Sequence, residues 1–178
     1  LQENVFLNVK NKSVTVTAEI EVPKGGGNGT IFAQGGRFGG WSLYVKDGRP
    51  AYDYNYLGLE RTTIASSKKL PAGKVTLEFD FAYDGGGLGK GGQGTLKVNG
   101  EQVAQGRIER TQPFVFSVDD TADVGIDLGT PVVERIGSES RSRFDGRIPK
   151  LVIEIRDADA KADAAVENAQ QVARGKGD

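Results

Sequence analysis

The stretch AYDGGGLGKGGQGTLKVNG (residues 82–100) has the composition of a phosphate-binding loop. Gly87, Gly89 and Gly92 meet the G-x-G-x-x-G spacing of dinucleotide sites, and Lys90 stands among them. Such a loop needs a strand before it and a helix after it, because the helix N-terminus supplies the amides and the dipole that hold pyrophosphate. Here the glycines run instead into GTLKVNGEQVAQG, which reads as a hairpin. A Walker loop fails as well, since Asp84 stands where its first glycine belongs and Gly91 where Ser or Thr must follow Lys90. A kinase-type loop lies between strands but requires a His-Arg-Asp loop, and the chain has no histidine. The expected role is a flexible connection between antiparallel strands.

Four other groups of side chains could do chemistry. Glu78 and Asp80, in LEFDFAY, fall on one face of a predicted strand. Some glycosidases carry E-x-D-x-x-E or E-x-D-x-E there, but Ala82 or Tyr83 replaces the second glutamate, so a retaining pair cannot be built. Asp119, Asp120, Asp123 and Asp127 gather in SVDDTADVGID, where oxygen ligands suit a structural calcium and aspartates equally suit turns. Trp41, Tyr44, Tyr52, Tyr54 and Tyr56 cluster across one predicted hairpin, with Asp53, Asn55 and Arg61 as polar groups beside them. Such aromatics either fill a core or offer a stacking platform to sugars. Alternation puts Trp41 with Leu43 in the core and Tyr44 on the opposite face. Arg107, Arg110, Arg135, Arg141, Arg143 and Arg147 form a local basic excess suited to sulfate, to carboxylate or to salt bridges.

The composition excludes much. The 178 residues include no cysteine and no histidine, so thiol nucleophiles, disulfides, thiolate metal sites and histidine bases are all unavailable. A net charge of −1 creates no global field toward nucleic acid or an anionic membrane. No apolar run reaches the roughly 20 residues of a membrane span. The chain begins at Leu1 and reads as an excised piece of something longer.

The elements that must carry these groups are strands. In VTVTAEIEV (14–22), Val14, Val16, Ala18, Ile20 and Val22 share a face; in VTLEFDFAY (75–83), Val75, Leu77, Phe79, Phe81 and Tyr83 do. Asp47-Gly48 and Asn99-Gly100 are two-residue hairpin signals. Further strands are expected at 5–9, 29–34, 60–66, 114–118, 122–127 and 147–155. About a dozen short strands with frequent turns predict an all-β, antiparallel two-sheet β-sandwich of jelly-roll type over residues 1–156. The alanine-rich remainder, 157–178, is expected to be a short helix or a disordered tail, with a thin apolar stripe of Ala162, Ala165, Val166, Ala169 and Val172.

AQGGRFGGWSLYVKDGRPAYDYNYLGLERTTIAS (33–66), FAYDGGGLGKGGQGTLKVNG (81–100), GRIERTQPFVFSVDDTADVGIDLGTPV (106–132) and FDGRIPKLVIEI (144–155) resemble the C-terminal region of large bacterial arylsulfatases. The resemblance covers about residues 4 to 156. It implies a concanavalin A-like sandwich, an upstream sulfatase catalytic domain as partner, and a periplasmic or secreted bacterial setting. No catalytic residue carries over: formylglycine arises from Cys or Ser in C/S-x-P-x-R, and no serine here begins that motif. The expectation is a non-catalytic accessory domain of a sulfuric ester hydrolase that packs on the catalytic domain. GGRFGGW and GGGLGKGGQG are the candidate rim loops. The alternative is a lectin-like carbohydrate-binding module, with Trp41, Tyr44, Tyr52, Tyr54, Tyr56 and Arg61 as ligand residues.

Overall fold

The computed structural model describes residues 6–116 and 121–156. The protein is all-β: two antiparallel sheets of five strands pack face to face. The first sheet has the order β10 (Arg147–Arg156), β1 (Ser13–Val22), β6 (Gly73–Tyr83), β7 (Lys90–Val98), β8 (Glu101–Arg110). The second runs β5 (Glu60–Ala65), β4 (Arg49–Tyr56), β3 (Gly39–Lys46), β2 (Gly29–Gly36), β9 (Ala122–Val124). A single 3-10 turn, Glu134–Ile136, and a one-turn helix α1, Glu139–Ser142, are the other elements among the described residues.

Side-chain alternation builds the core. Val14, Val16, Ala18, Ile20 and Val22 are all buried, and Val75, Leu77 and Phe79 lie beside them on the same face of the paired strand β6. Tyr52 of β4 stacks on Phe79 of β6 with ring centroids 3.6 Å apart, so the contact joins the two sheets. Trp41 and Phe32 continue this aromatic line within the second sheet. Offset aromatic pairs add about 0.5–1.5 kcal/mol beyond the area they bury. Both hairpin signals form as expected: Asp47 and Gly48, and Asn99 and Gly100, all take the positive φ values of a primed turn.

Three strand expectations need correction. Residues 6–9 form no strand, because the Asn8 side chain accepts the Lys10 amide and turns the chain instead. Residues 114–116 form a loop closed by Gln112, whose Nε2 donates to the Val115 carbonyl at 2.9 Å. The expected strand 122–127 ends at Val124, since Gly125 follows at φ 75°. The expectation for 157–178 lies outside the described residues.

The glycine-rich stretch divides into two parts. Residues 84–89 connect β6 to β7, and Tyr83 staples this connection: its hydroxyl donates to the Gly87 carbonyl at 2.6 Å and accepts the Lys90 amide at 2.9 Å. Gly91, Gly92 and Gly94 lie within β7. There a Cβ on Gly94 would lie 2.5 Å from Ile64 Cδ1 and 2.8 Å from Phe79 Cζ, so at this position β7 approaches the second sheet too closely for a side chain.

Candidate functional site

Strand alternation separates the predicted aromatic residues onto two faces. Trp41, Tyr52 and Tyr54 point between the sheets and are 3–5% exposed, which leaves no ring face for a ligand to stack on. Their polar atoms are tied internally: Trp41 Nε1 donates to Gln34 Oε1 at 3.0 Å, and the Tyr54 hydroxyl accepts the Gln112 amide at 2.7 Å. Burial, with smaller contributions from neighbouring Tyr54 and Asp53, raises the Tyr52 phenol well above its usual range. The three rings border a cavity of about 40 Å³, far below the several hundred Å³ of a ligand pocket. Tyr56 is half-buried at the end of β4, with the Arg110 guanidinium 4.4 Å from its ring centroid and a bidentate Arg110–Glu60 pair beside it.

Tyr44 lies on the outer face of the second sheet, as alternation requires. It is buried there nonetheless, because residues 130–137 cross this face as a strap. Val132 and Val133 of the strap form a second small core with Ala33, Tyr44 and Ala51. Next to it, the Tyr44 hydroxyl donates to Asp53 Oδ1 at 2.9 Å, and an Arg135 nitrogen bonds Tyr44, Asp53 (2.6 Å) and Thr63 (3.0 Å) together. Burial raises the Asp53 carboxyl above its usual value, against the lowering influence of Arg135 and of its hydrogen bonds. The same burial raises the Tyr44 phenol far above the ordinary phenol range.

Solvent-facing apolar groups collect at one end of the sandwich. Phe38, at the tip of the β2–β3 loop, is 68% exposed; Leu57 and Leu59, in the β4–β5 turn, are 47% and 78% exposed. Asn55 holds these two loops together. Its Nδ2 donates to the Gly36 and Arg37 carbonyls at 3.1 and 2.9 Å, and its Oδ1 accepts the Gly58 amide at 2.9 Å. Arg37 and Arg61 flank the patch and share Glu134, at 3.4 and 3.6 Å. The loop at 111–116 adds Phe114 and Val115, both exposed. It lies against Gly39 on one side and Gly89 on the other, so both predicted rim loops meet at this end. Asn11 completes the assembly by donating to the Pro113 carbonyl and accepting the Gly89 amide. Phe38 and the two leucines were not among the predicted ligand residues. Their signal was a lone aromatic flanked by glycine pairs, since a side chain at the tip of so tight a loop cannot fold back into the core.

The remaining candidates are engaged elsewhere. Glu78 and Asp80 lie on the outer face of the first sheet, Glu78 with Lys97 at 2.7 Å and Asp80 with Thr15 and Arg156. Each acid is therefore matched to a cation. Of the arginine group, Arg107 pairs with Asp84, Arg110 with Glu60, Arg135 with Asp53 and Arg147 with Glu21. Asp123 Oδ2 accepts the Thr121 hydroxyl and the Leu128 amide, and Asp127 Oδ2 accepts the Val132 amide at 2.9 Å. These carboxylates act as loop ties. Asp119 and Asp120 lie outside the described residues, among which no three metal-ligating side chains converge.

Neither a family model nor a curated protein matches the sequence. Solved structures do match the fold. The Ruminococcus gnavus IT-sialidase CBM40 bound to alpha2,3 sialyllactose is 13% identical, with a TM-score of 0.57 over 88% of this chain and 82% of that one. Domains LG4-5 of the mouse laminin alpha1 chain are 14% identical, with a TM-score of 0.56 over 88% of this chain and 41% of theirs. The native heptameric SAP-like pentraxin from Limulus polyphemus is 18% identical, with a TM-score of 0.50 over 80% of this chain; the chain spans 63% of that pentraxin. These are concanavalin-like, lectin-type β-sandwich domains. Identities this low establish the fold alone.

Proposed function

We propose that this chain is a lectin-type carbohydrate-binding module whose ligand surface is the rim of Arg37, Phe38, Leu57, Leu59 and Arg61. The observation that carries the reading is Phe38: a 68% exposed aromatic ring on a loop braced by a buried asparagine. A ring held this way offers its face to the C–H surface of a sugar at little cost in ordering. Arg37 and Arg61 supply guanidinium donors beside it, and an acidic group on the ligand would compete with Glu134 for them. The fold is shared with a CBM40 structure that holds sialyllactose, which supports the ligand class. A glycan array probed with the isolated chain tests the reading. Binding is expected to be abolished by Phe38→Ala and weakened by Arg61→Gln for acidic glycans. An array signal that survives Phe38→Ala would overturn this placement of the site.

A second reading is favoured by the same apolar rim. Leu57, Leu59, Phe114 and Val115 extend the exposed surface beyond one ring, as a docking face would. In this reading the chain is the non-catalytic accessory domain of an exported bacterial arylsulfatase, and the rim packs on the catalytic domain. The chain alone then hydrolyses no sulfate ester. Co-expressed with such a catalytic domain it is expected to co-purify, and Leu59→Asp to release it. Glycan binding by the free chain, without such association, would decide for the first reading.

A further inference from the structure

Residues 130–137 cover the outer face of the second sheet in an unusual way. Among the described residues, the backbone-to-backbone hydrogen bonds of 131–137 run within the strap, from Ile136 to Val133 and from Gly137 to Glu134. The polar links to the sheet pass through side chains instead. Arg61 Nη1 donates to the Val132 carbonyl at 3.2 Å, Lys46 Nζ donates to the Arg135 carbonyl at 3.0 Å, and Arg135 enters from the β5 edge to bond Asp53, Tyr44 and Thr63. Beneath the strap, direct cross-strand register sets out one row of residues: Asp123, Ala33, Ser42, Asp53 and Thr63. Small residues form its floor and polar ones its length, at the strand spacing of about 4.8 Å. The Ser42 hydroxyl is fully buried and has no hydrogen-bond partner, so the strap does not satisfy the face it covers.

We propose that this row is a second saccharide-binding floor, that the strap is its displaceable cover, and that Arg135 is the latch. The inference takes from the reading above only the ligand class and concerns a different face. With Arg135 withdrawn, Asp53 is the charged group at the middle of the floor, and Lys46 and Arg61, freed from the strap carbonyls, stand at its margins. Hydroxyl-rich and amine-bearing rings are the class that the Asp53 carboxylate at the centre of the floor accepts. The orphan hydroxyl of Ser42 gains a partner when such a ring replaces the strap.

The test uses the absence of cysteine from the chain. Ser42→Cys places a single thiol under the strap, and its reaction with a disulfide reagent reports opening. Adding Arg135→Ala is expected to speed labelling at least about tenfold, at a rate insensitive to low urea, as local opening requires. Arg135→Ala is also expected to gain binding of a chitosan oligosaccharide that persists with Phe38→Ala and is lost with Asp53→Asn. Should Arg135→Ala fail to fold, Lys46→Ala removes only an exposed bond to the strap and carries the same labelling and binding tests. Labelling that accelerates with urea in step with global unfolding, or no gain of saccharide binding, overturns the proposal. Loss of rim binding on the glycan array leaves both measurements unaffected, so the two readings fail separately.

Discussion

Arg135 reaches Asp53 at 2.6 Å across 82 residues of chain, and the two are unequally exposed: the arginine side chain at 45%, the aspartate side chain at 9%. Removing the arginine therefore strands a carboxylate that has little water of its own. Arg135→Met is expected to cost about 2 kcal/mol at pH 7, below the full value for a buried pair because one partner is half in solvent. The Asp53 carboxyl already lies above its unfolded value, and losing Arg135 raises it further. A group raised on folding contributes its full stability below the unfolded pKa and loses it as pH rises through the folded one. The gap between wild type and variant should thus be small near pH 4 and widen toward pH 7. Urea unfolding at both pH values measures it, and a pH-independent gap would contradict the assignment.

The close approach of β7 to the second sheet predicts a specific compensation. Gly94→Ala drives a methyl into Ile64 Cδ1 and is expected to cost about 1–3 kcal/mol, as overpacking does. Ile64→Val removes that atom, so the double variant should recover part of the loss although the second change alone destabilises. A double-mutant cycle on thermal unfolding reads the coupling.

Asn55 is 1% exposed and is the brace between the two rim loops. Asn55→Asp keeps its shape but points a second oxygen at the Gly36 and Arg37 carbonyls. A loss of about 2–3 kcal/mol is expected, with faster amide exchange at Gly58, whose bond goes to this side chain. Exchange unchanged at Gly58 would mean that the loops hold themselves.

Tyr54 and Phe38 should separate stability from binding. Tyr54→Phe leaves the buried Gln112 amide without its acceptor and should cost about 1–2 kcal/mol while leaving glycan binding intact. Phe38→Ala should do the reverse, because an exposed side chain contributes little to folding.

Calcium offers a further separation. A cation held by Asp119 and Asp120 together with Asp123 and Asp127 would raise the melting temperature by linkage. The Asp127 carboxylate, however, already accepts the Val132 amide. Asp127→Asn is therefore expected to lower the melting temperature as much in EDTA as in millimolar calcium. A loss confined to calcium would make this residue a ligand and not a tie.

The two-sheet fold was legible because period-two alternation is a local signal: the faces of β1 and β6 could be read residue by residue, and two dipeptides marked the β3–β4 and β7–β8 hairpins. The same alternation placed Trp41 inward and Tyr44 outward. What it could not convey is that an outward residue can be covered by chain from far away. Val132, Val133 and Arg135 follow no strand or helix period, so nothing local announces that they lie across β3 and β4. The aromatic cluster left core and platform both open; Trp41, Tyr52 and Tyr54 prove to be core, and the exposed ring is Phe38. The glycines were ambiguous for the same reason: whether one serves a turn or a close packing depends on what stands opposite, and for Gly94 that is Ile64, from the other sheet.

In the first sheet, β1 and β10 are direct neighbours, and Ser13 lies opposite Arg156. Until β10 is in place, β1 therefore presents one unpaired edge, so the last-made strand of the described chain is the one that covers the first.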